Sequence, residues 1–512
     1  MEVMTKRKYL YGAIIFAGVF GVGWLLLSRG SGAPYDDGKF YVTLASLQSK
    51  VGFIKEYPWL YFSQFRTASP GLHFLYSALL VPFAKFFPAA QASIAAASFF
   101  FAGASVIFLA LLRRFRFRPA WLWLLLFVFG SADFLFRLLL ARPISLSLAV
   151  LLGAYYCLSA KKYWLLLPLA FAYVWLYDGY ILLLALPLAF AATELVRHRK
   201  ISASPLLWTI GGLAAGLVIN PFFPNNVLFH HFLLTPPLFL KTIQNSREWQ
   251  PYDLATLVRN NWIVLVVYFV AFVAAVRAFQ NNRGKSGASA PSGPFLLLTV
   301  SGLFFVLMLL SRRFVEYWVP FSILFSASQF QGIFSKITWP RLKQSLINHW
   351  QLKAAGVLVA CLLAIGVADT AKIVSAYFRE LPATDAYRGP ALWLAENSAG
   401  GDIVFNPQWD QFPRLFYWDQ KNYYIVGLDP TFLYAYSPDL YRQWREISDD
   451  REDKWGSPAD LDKTFRQTFR ARYVFVEQLR NPVLARYLAA PRAADYFKPV
   501  YNGGGITVYE AL

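Results

Sequence analysis

Apolar runs close to twenty residues long recur along most of this 512-residue chain, and no other feature limits its fold as much. A helix of about 20 apolar residues crosses roughly 30 Å of hydrocarbon, so each run can span a bilayer. A soluble alternative would need one core large enough to hide all of them, and soluble cores stop growing well below this length. Charged residues make up only 15% of the chain, against about 25% in an ordinary soluble protein. The expected fold is therefore an α-helical polytopic membrane protein of about eleven spans, followed by a small C-terminal soluble α/β domain.

Basic residues punctuate the runs and set their orientation. Lys6, Arg7 and Lys8 precede the first run, near 9–28. That run has no small-x-small cleavage site after a short core, so it reads as an uncleaved span with a cytoplasmic N-terminus. Arg113, Arg114, Arg116 and Arg118 follow span two (about 91–112), and Lys161 and Lys162 follow spans three and four (near 120–136 and 143–160). Arg197 to Lys200 follow spans five and six, near 163–177 and 180–196. Span seven covers about 204–219, and span eight, about 262–279, leads to Arg283 and Lys285. Spans nine and ten flank Arg312 to Tyr317, and Lys336, Arg341, Lys343 and Lys353 precede span eleven, about 354–370. These basic loops agree on one cytoplasmic side. A first outer loop (29–90), a second long one (220–261) and a domain from 376 to 512 then lie outside, periplasmic for a bacterial inner membrane; residues 1–375 form the transmembrane domain.

Gly71 to Phe87 is also apolar enough to span, but counting it would put Arg113 to Arg118 outside. It reads instead as an interfacial or re-entrant helix, and Phe40, Leu44, Leu47 and Val51 at helical spacing predict a second surface helix. Beyond 376, short strands are expected at Asp402–Asn406, Tyr423–Leu428, Tyr473–Glu477 and Ile506–Tyr509. Helices are expected at Ala391–Glu396, Asp439–Ile447 and Asp460–Arg470. The net charge of +20 sits mostly between spans, where it reports orientation and not nucleic-acid binding. Cys157 and Cys361 both lie in apolar runs, which leaves no disulfide framework or metal knuckle.

The residues with chemical potential gather at the outer ends of the runs. Asp36-Asp37-Gly38 opens an aromatic-rich loop just past the first span, and long ordered loops usually serve a function. A first span, an acidic motif just outside it and surface helices in the first outer loop resemble the GT-C superfamily of integral-membrane glycosyltransferases. Tyr173-Val174-Trp175-Leu176-Tyr177-Asp178-Gly179-Tyr180 resembles the W-G-G-Y segment of oligosaccharyltransferase catalytic subunits. Gln408-Trp409-Asp410-Gln411 resembles the W-W-D-Y-G motif that opens their soluble domain, with Gln408 in place of the first Trp and Phe412 in place of the Gly. The resemblance implies a polyprenyl-phosphate-linked sugar as donor and a glycan, lipid or protein as acceptor. It also implies catalysis by Asp37 or Asp36, and substrate contacts from Asp178, Trp409 and Asp410. The family's second acidic motif falls where this chain reads Leu140-Ala141-Arg142-Pro143, so a divalent metal would lack half of its ligands; no residue is assigned as a metal ligand.

Arg137, Arg142, Arg312 and Arg313 are expected near the outer ends of spans, against the positive-inside bias. Arginine presents a planar fork of donors suited to phosphate, which a lipid-linked sugar carries at that depth. Glu316 is placed to pair with one of them, and Asp133 and Arg137 have the i, i+4 spacing of a helix-face ion pair. His73 lies in the interfacial Gly71 to Phe87 segment, open to interfacial packing or to substrate. His230 and His231 are adjacent, and neighbours on a helix point apart, which argues against a shared metal. Two other readings fit the same layout: a lipid or polysaccharide transporter or flippase, which would want polar residues at mid-membrane, and a non-catalytic scaffold of GT-C architecture.

Overall fold

A computed structural model describes residues 2–30, 35–229, 247–282, 292–336, 350–381, 383 and 385–512. Arg283, Lys285, Arg341, Lys343, His230 and His231 fall outside the described residues. In chain order the helices of the first two-thirds are α1 (Glu2–Leu27), α2 (Tyr35–Val51), α3 (Phe74–Phe86), α4 (Ala89–Arg114), α5 (Ala120–Phe129), α6 (Ala132–Leu139) and α7 (Ile144–Ser159). They continue with α8 (Leu166–Leu176), α9 (Ala185–His198), α10 (Ser204–Val218), α11 (Leu254–Asn282), α12 (Ser292–Leu310), α13 (Val315–Lys336) and α14 (Trp350–Glu380). The chain divides into two compact units: Met1–Gly30, Ile94–Gly216 and Ser246–Leu381 form one, and Ser31–Ser93, Leu217–Asn245 and Pro382–Leu512 the other.

The first unit is a helical bundle and marks the protein as a multi-pass membrane protein. Among the described residues, six helices are long and apolar enough to cross a bilayer: Leu10–Leu27, Ala89–Arg114, Asp178–His198, Leu254–Gln280, Gly293–Leu310 and Lys353–Glu380. Large apolar side chains stand exposed along them, among them Leu10 and Ile14 on α1, Val266 and Val270 on α11, and Val357 and Ile365 on α14. In water such stripes would drive aggregation; in hydrocarbon they need no cover.

The other expected spans map onto different constructions. The run at 120–136 is broken: α5 and α6 meet at 76°. Ser131 stops α5 and restarts the chain, its hydroxyl accepting from the Phe134 amide at 3.0 Å as the N-cap of α6. Ile144–Ser159, Tyr163–Leu176 and Ser204–Val218 are shorter apolar helices. From Val315 to Ala327 every residue of α13 is buried, so it forms the inside of the bundle. Its serines bond back to the helix, Ser322 to the Val319 carbonyl and Ser326 to that of Ser322, both at 2.8 Å.

The second unit is built on a five-stranded sheet. Its strands are β1 (Ile403–Phe405), β2 (Tyr423–Tyr424), β3 (Ala471–Glu477), β4 (Phe497–Gly503) and β5 (Ile506–Ala511), in the order β2-β1-β3-β5-β4. β2, β1 and β3 run parallel, and β5 is antiparallel to β3 and β4. α15 (Arg388–Asn397) precedes β1, and between the strands lie α16 (Phe412–Trp418), α17 (Thr431–Tyr436), α18 (Pro438–Ser448), α19 (Pro458–Lys463) and α20 (Pro482–Ala489). The β2 edge does not face solvent bare. Leu60 from the first loop forms a parallel bridge with Tyr424: the Tyr61 amide donates to the Tyr424 carbonyl (3.0 Å) and the Tyr424 amide to the Trp59 carbonyl (2.8 Å). Phe62 enters the same hydrophobic core as Phe405, Trp444, Phe465 and Val474. The helices expected in the first loop are α2 and α3, but α2 is not the amphipathic surface helix its spacing predicts: residues 38–45 are buried on every side, and Val51, on the expected apolar face, is exposed.

Candidate functional site

Two polar constellations stand out, one in each unit. In the bundle, α6 carries Arg137 at its end, and the following turn carries Arg142. The Arg137 guanidinium bonds Glu316 at the first turn of α13, and also Glu248 at 3.3 Å. Arg142 donates to the other Glu248 oxygen at 2.6 Å. Glu316 is fully buried, and its Oε2 has no hydrogen-bond partner among the described residues. A buried carboxylate is tolerable only when paired, which is what Arg137 supplies. Burial pushes the Glu248 carboxyl up, but Arg142, Arg137 and Arg313 outweigh it and hold it well below the ordinary carboxylate range.

Arg313 belongs to the same cluster. It donates to the Tyr177 hydroxyl and its guanidinium lies 4.8 Å from the centroid of the Trp249 ring. Tyr177 is available because α8 stops at Leu176 and a 3₁₀ segment, Asp178–Leu184, resumes after one extended residue. Gly179 permits that break, since a Cβ there would sit 2.3 Å from the Tyr177 ring. Asp178, at the start of the segment, acts electrostatically on Arg313. Arg312 points elsewhere: it donates to the Pro251 carbonyl at 3.0 Å and lies 5.3 Å from the Tyr252 ring centroid. Behind the cluster, Ser147 links the hydroxyls of Tyr173 (2.5 Å) and Tyr317 (2.9 Å). The expected Asp133–Arg137 bond does not form. Asp133 accepts from Asn260 (2.8 Å) and Asn261 (3.2 Å), while Glu316 and Glu248 take the Arg137 guanidinium.

In the second unit, Asp36 and Asp37 occupy the first turn of α2. Arg414 on α16 grips Asp36 through a two-bond fork, Nε at 2.6 Å and a terminal nitrogen at 2.8 Å. Lys39, fully buried, puts its ammonium 3.6 Å from the same carboxylate, and burial pushes its pKa down against the pull of Asp36. Burial also works against the Arg414 charge, but the bonds to Asp36 outweigh it and raise its pKa. The Arg414 guanidinium lies 5.2 Å from the Tyr387 ring centroid, and the Tyr387 hydroxyl donates to Glu477. His73, in a left-handed conformation before α3, meets the Tyr41 hydroxyl through Nδ1. Asp410 pairs with Arg480 at 2.9 Å, and Trp409 packs partly buried against the sheet core.

The structure thus gathers Arg137, Arg142, Arg313 and Glu316, with Asp178 nearby, and adds Glu248, which the sequence reading missed. It ties Asp36 to Arg414, also missed, and sets Arg312, Trp409 and Asp410 in contacts of their own. Among the described residues no three His, Cys, Asp or Glu side chains converge on a metal-sized site. With Arg142 in the place of the second acidic motif, the residues present do not fit the divalent ion of that motif.

No protein-family profile and no characterised sequence matches the chain. Solved structures do. The apo oligosaccharyltransferase of Archaeoglobus fulgidus superposes with a TM-score of 0.64 at 13% identity, over 94% of this chain and 73% of that one. The chain has the GT-C fold. The archaeal enzyme AglB from Archaeoglobus fulgidus, in complex with an inhibitory peptide and a dolichol-phosphate, aligns over 99% of this chain and 74% of that one, with a TM-score of 0.59 and 13% identity. ArnT from Cupriavidus metallidurans, bound to undecaprenyl phosphate, gives a TM-score of 0.55 at 12% identity and covers 97% of both chains. At these identities the likeness establishes the GT-C architecture and leaves the chemistry to the residues.

Proposed function

We propose that this protein is a membrane glycosyltransferase that moves a sugar or glycan from a polyprenyl-phosphate carrier to an acceptor at the outer membrane face. The observation that carries the reading is the buried cluster of Arg137, Arg142 and Arg313 in a GT-C fold, a set of guanidinium forks suited to a phosphate. Two solved proteins of this fold bind dolichol-phosphate and undecaprenyl phosphate. In the proposed reaction a carboxylate takes the proton of the acceptor hydroxyl as its oxygen bonds the anomeric carbon. The carbon–oxygen bond to phosphate breaks, and the phosphate leaves with the electron pair, its charge met by the arginines.

Asp37 or Asp36 is the proposed base, Asp37 first because Gly38 after it leaves the backbone freer to approach a substrate; Arg414 bonds both oxygens of Asp36. Asp36 then frames the first turn of α2, Glu316 orients Arg137, Asp178 supports Arg313, and His73 lines the substrate side. Trp409 and Asp410 are proposed substrate contacts of the C-terminal domain, Asp410 while paired with Arg480. The proposed placement is a bacterial inner membrane of about eleven spans with the N-terminus cytoplasmic, the C-terminal domain outside, and a boundary near residue 376. The test is sugar transfer by purified D37N and D36N from a polyprenyl-phosphate sugar. Asp37→Asn should keep the fold and lose roughly 10²–10⁴-fold in rate, the usual worth of a positioned base. Full activity in Asp37→Asn would reject the assignment to Asp37, and full activity in the double variant would make the acidic pair a solvated loop with no part in catalysis.

A further inference from the structure

Glu248 is the one carboxylate in the arginine cluster that arrives from neither a transmembrane helix nor the sequence neighbourhood of its partners. It lies in a 3₁₀ turn, Arg247–Trp249, 106 residues beyond Arg142 and 111 beyond Arg137. Its two oxygens divide between the two guanidiniums, as two phosphate oxygens would. We propose that Glu248 is a built-in stand-in for the carrier phosphate: it occupies Arg137 and Arg142 at rest and is displaced when a polyprenyl phosphate binds. The inference rests on the phosphate reading above and deepens it.

Charge balance favours exchange over addition. Arg137, Arg142 and Arg313 face Glu248, Glu316 and Asp178, so three positive charges meet three negative ones. A sugar-linked phosphodiester carries one negative charge, so its exchange for Glu248 keeps that balance, whereas its addition beside Glu248 would bury about one unit of net negative charge, at high cost in a low-dielectric interior. When the sugar departs, the phosphate becomes a monoester of about −1.5 to −2 charge. If Glu248 stayed, the product state would bury about 1.5 to 2 units of net negative charge.

The displacement needs only a side-chain rotation. The backbone of the turn is held separately: the Ser311 hydroxyl donates to the Glu248 carbonyl at 3.0 Å, and the Arg312 amide donates to the Gln250 carbonyl at 3.1 Å. Rotating the Glu248 side chain outward breaks neither bond, and the side chain already retains 17% of its exposure.

The experiment measures binding of undecaprenyl phosphate to the full-length protein in detergent, with undecaprenol as the uncharged control. Glu248→Gln removes the competing charge, and a charge-assisted hydrogen bond is worth about 1.5–3 kcal/mol, so affinity should rise roughly 10–100-fold. Undecaprenol affinity should not change. If Glu248→Gln proves unstable, Glu248→Asp, which withdraws the carboxylate by one methylene, should tighten binding in the same direction but less. Wild-type binding with equal or weaker affinity in the folded variants would overturn the stand-in role. Absence of undecaprenyl phosphate binding in wild type and variants alike would overturn the phosphate reading on which it rests.

Discussion

At the residue scale, the two decisive polar contacts join residues far apart in sequence. Arg414 and Asp36 are separated by 378 positions, and their side chains are only 9% and 15% exposed. Breaking such a pair leaves one charge buried alone, so Arg414→Gln should cost about 3–5 kcal/mol of stability in the purified protein. Arg414→Lys should recover part of it, because one ammonium cannot replace the two-bond fork. Chemical denaturation of the three proteins side by side checks both expectations. The acidic pair itself was legible in the sequence, because a carboxylate just past an apolar run has a location as well as an identity. The fork between Asp36 and Arg414 was not, since that arginine lies 378 positions away in the chain. Glu248 escaped for the same reason: local spacing pointed Arg137 at Asp133, four residues away, while the structure satisfies Arg137 with Glu316 and Glu248.

At the element scale, length and apolarity showed where helices lie, because crossing hydrocarbon demands both. They did not show where a helix breaks. The bend after α5 and the interruption after α8 depend on a serine cap and on the fit of one ring over one glycine, which hydropathy does not weigh. The second break is testable. Gly179→Ala would press a methyl group into the Tyr177 ring, and overpacking of this kind typically costs about 1–3 kcal/mol. Because Tyr177 receives the Arg313 guanidinium, undecaprenyl phosphate affinity should fall along with stability. A variant as stable as wild type that binds the lipid equally well would show that the ring can move without consequence. In the C-terminal sheet, the expected strands matched β1, β2, β3 and β5, whereas β4 was missed because Lys498 and Pro499 break its apolar alternation. The signal that would have found it is Gly504-Gly505, both at positive φ, a two-residue turn suited to a hairpin.

At the scale of the whole molecule, the orientation we propose from the basic loops can be checked with reporter fusions. A reporter fused after Lys200 should read cytoplasmic and one fused after Gly504 should read external. The same side for both would change the number of crossings by an odd count and undo the external placement of the domain. The pairing of the first loop with the C-terminal sheet has a consequence of another kind, for the order in which the protein is made. Trp59 donates to the Gln420 carbonyl across 361 residues, and Leu60 covers a strand edge that does not exist until Tyr424 has been synthesised. At about 5–20 residues per second, the ribosome needs roughly 20–70 s to travel that far. Throughout that interval Trp59, Tyr61 and Phe62 have no sheet to join, while the remaining helices are still being inserted. Nearly complete translation is therefore a precondition for the first loop to reach its final form, and a chain stalled after its last membrane helix would carry that loop unfinished.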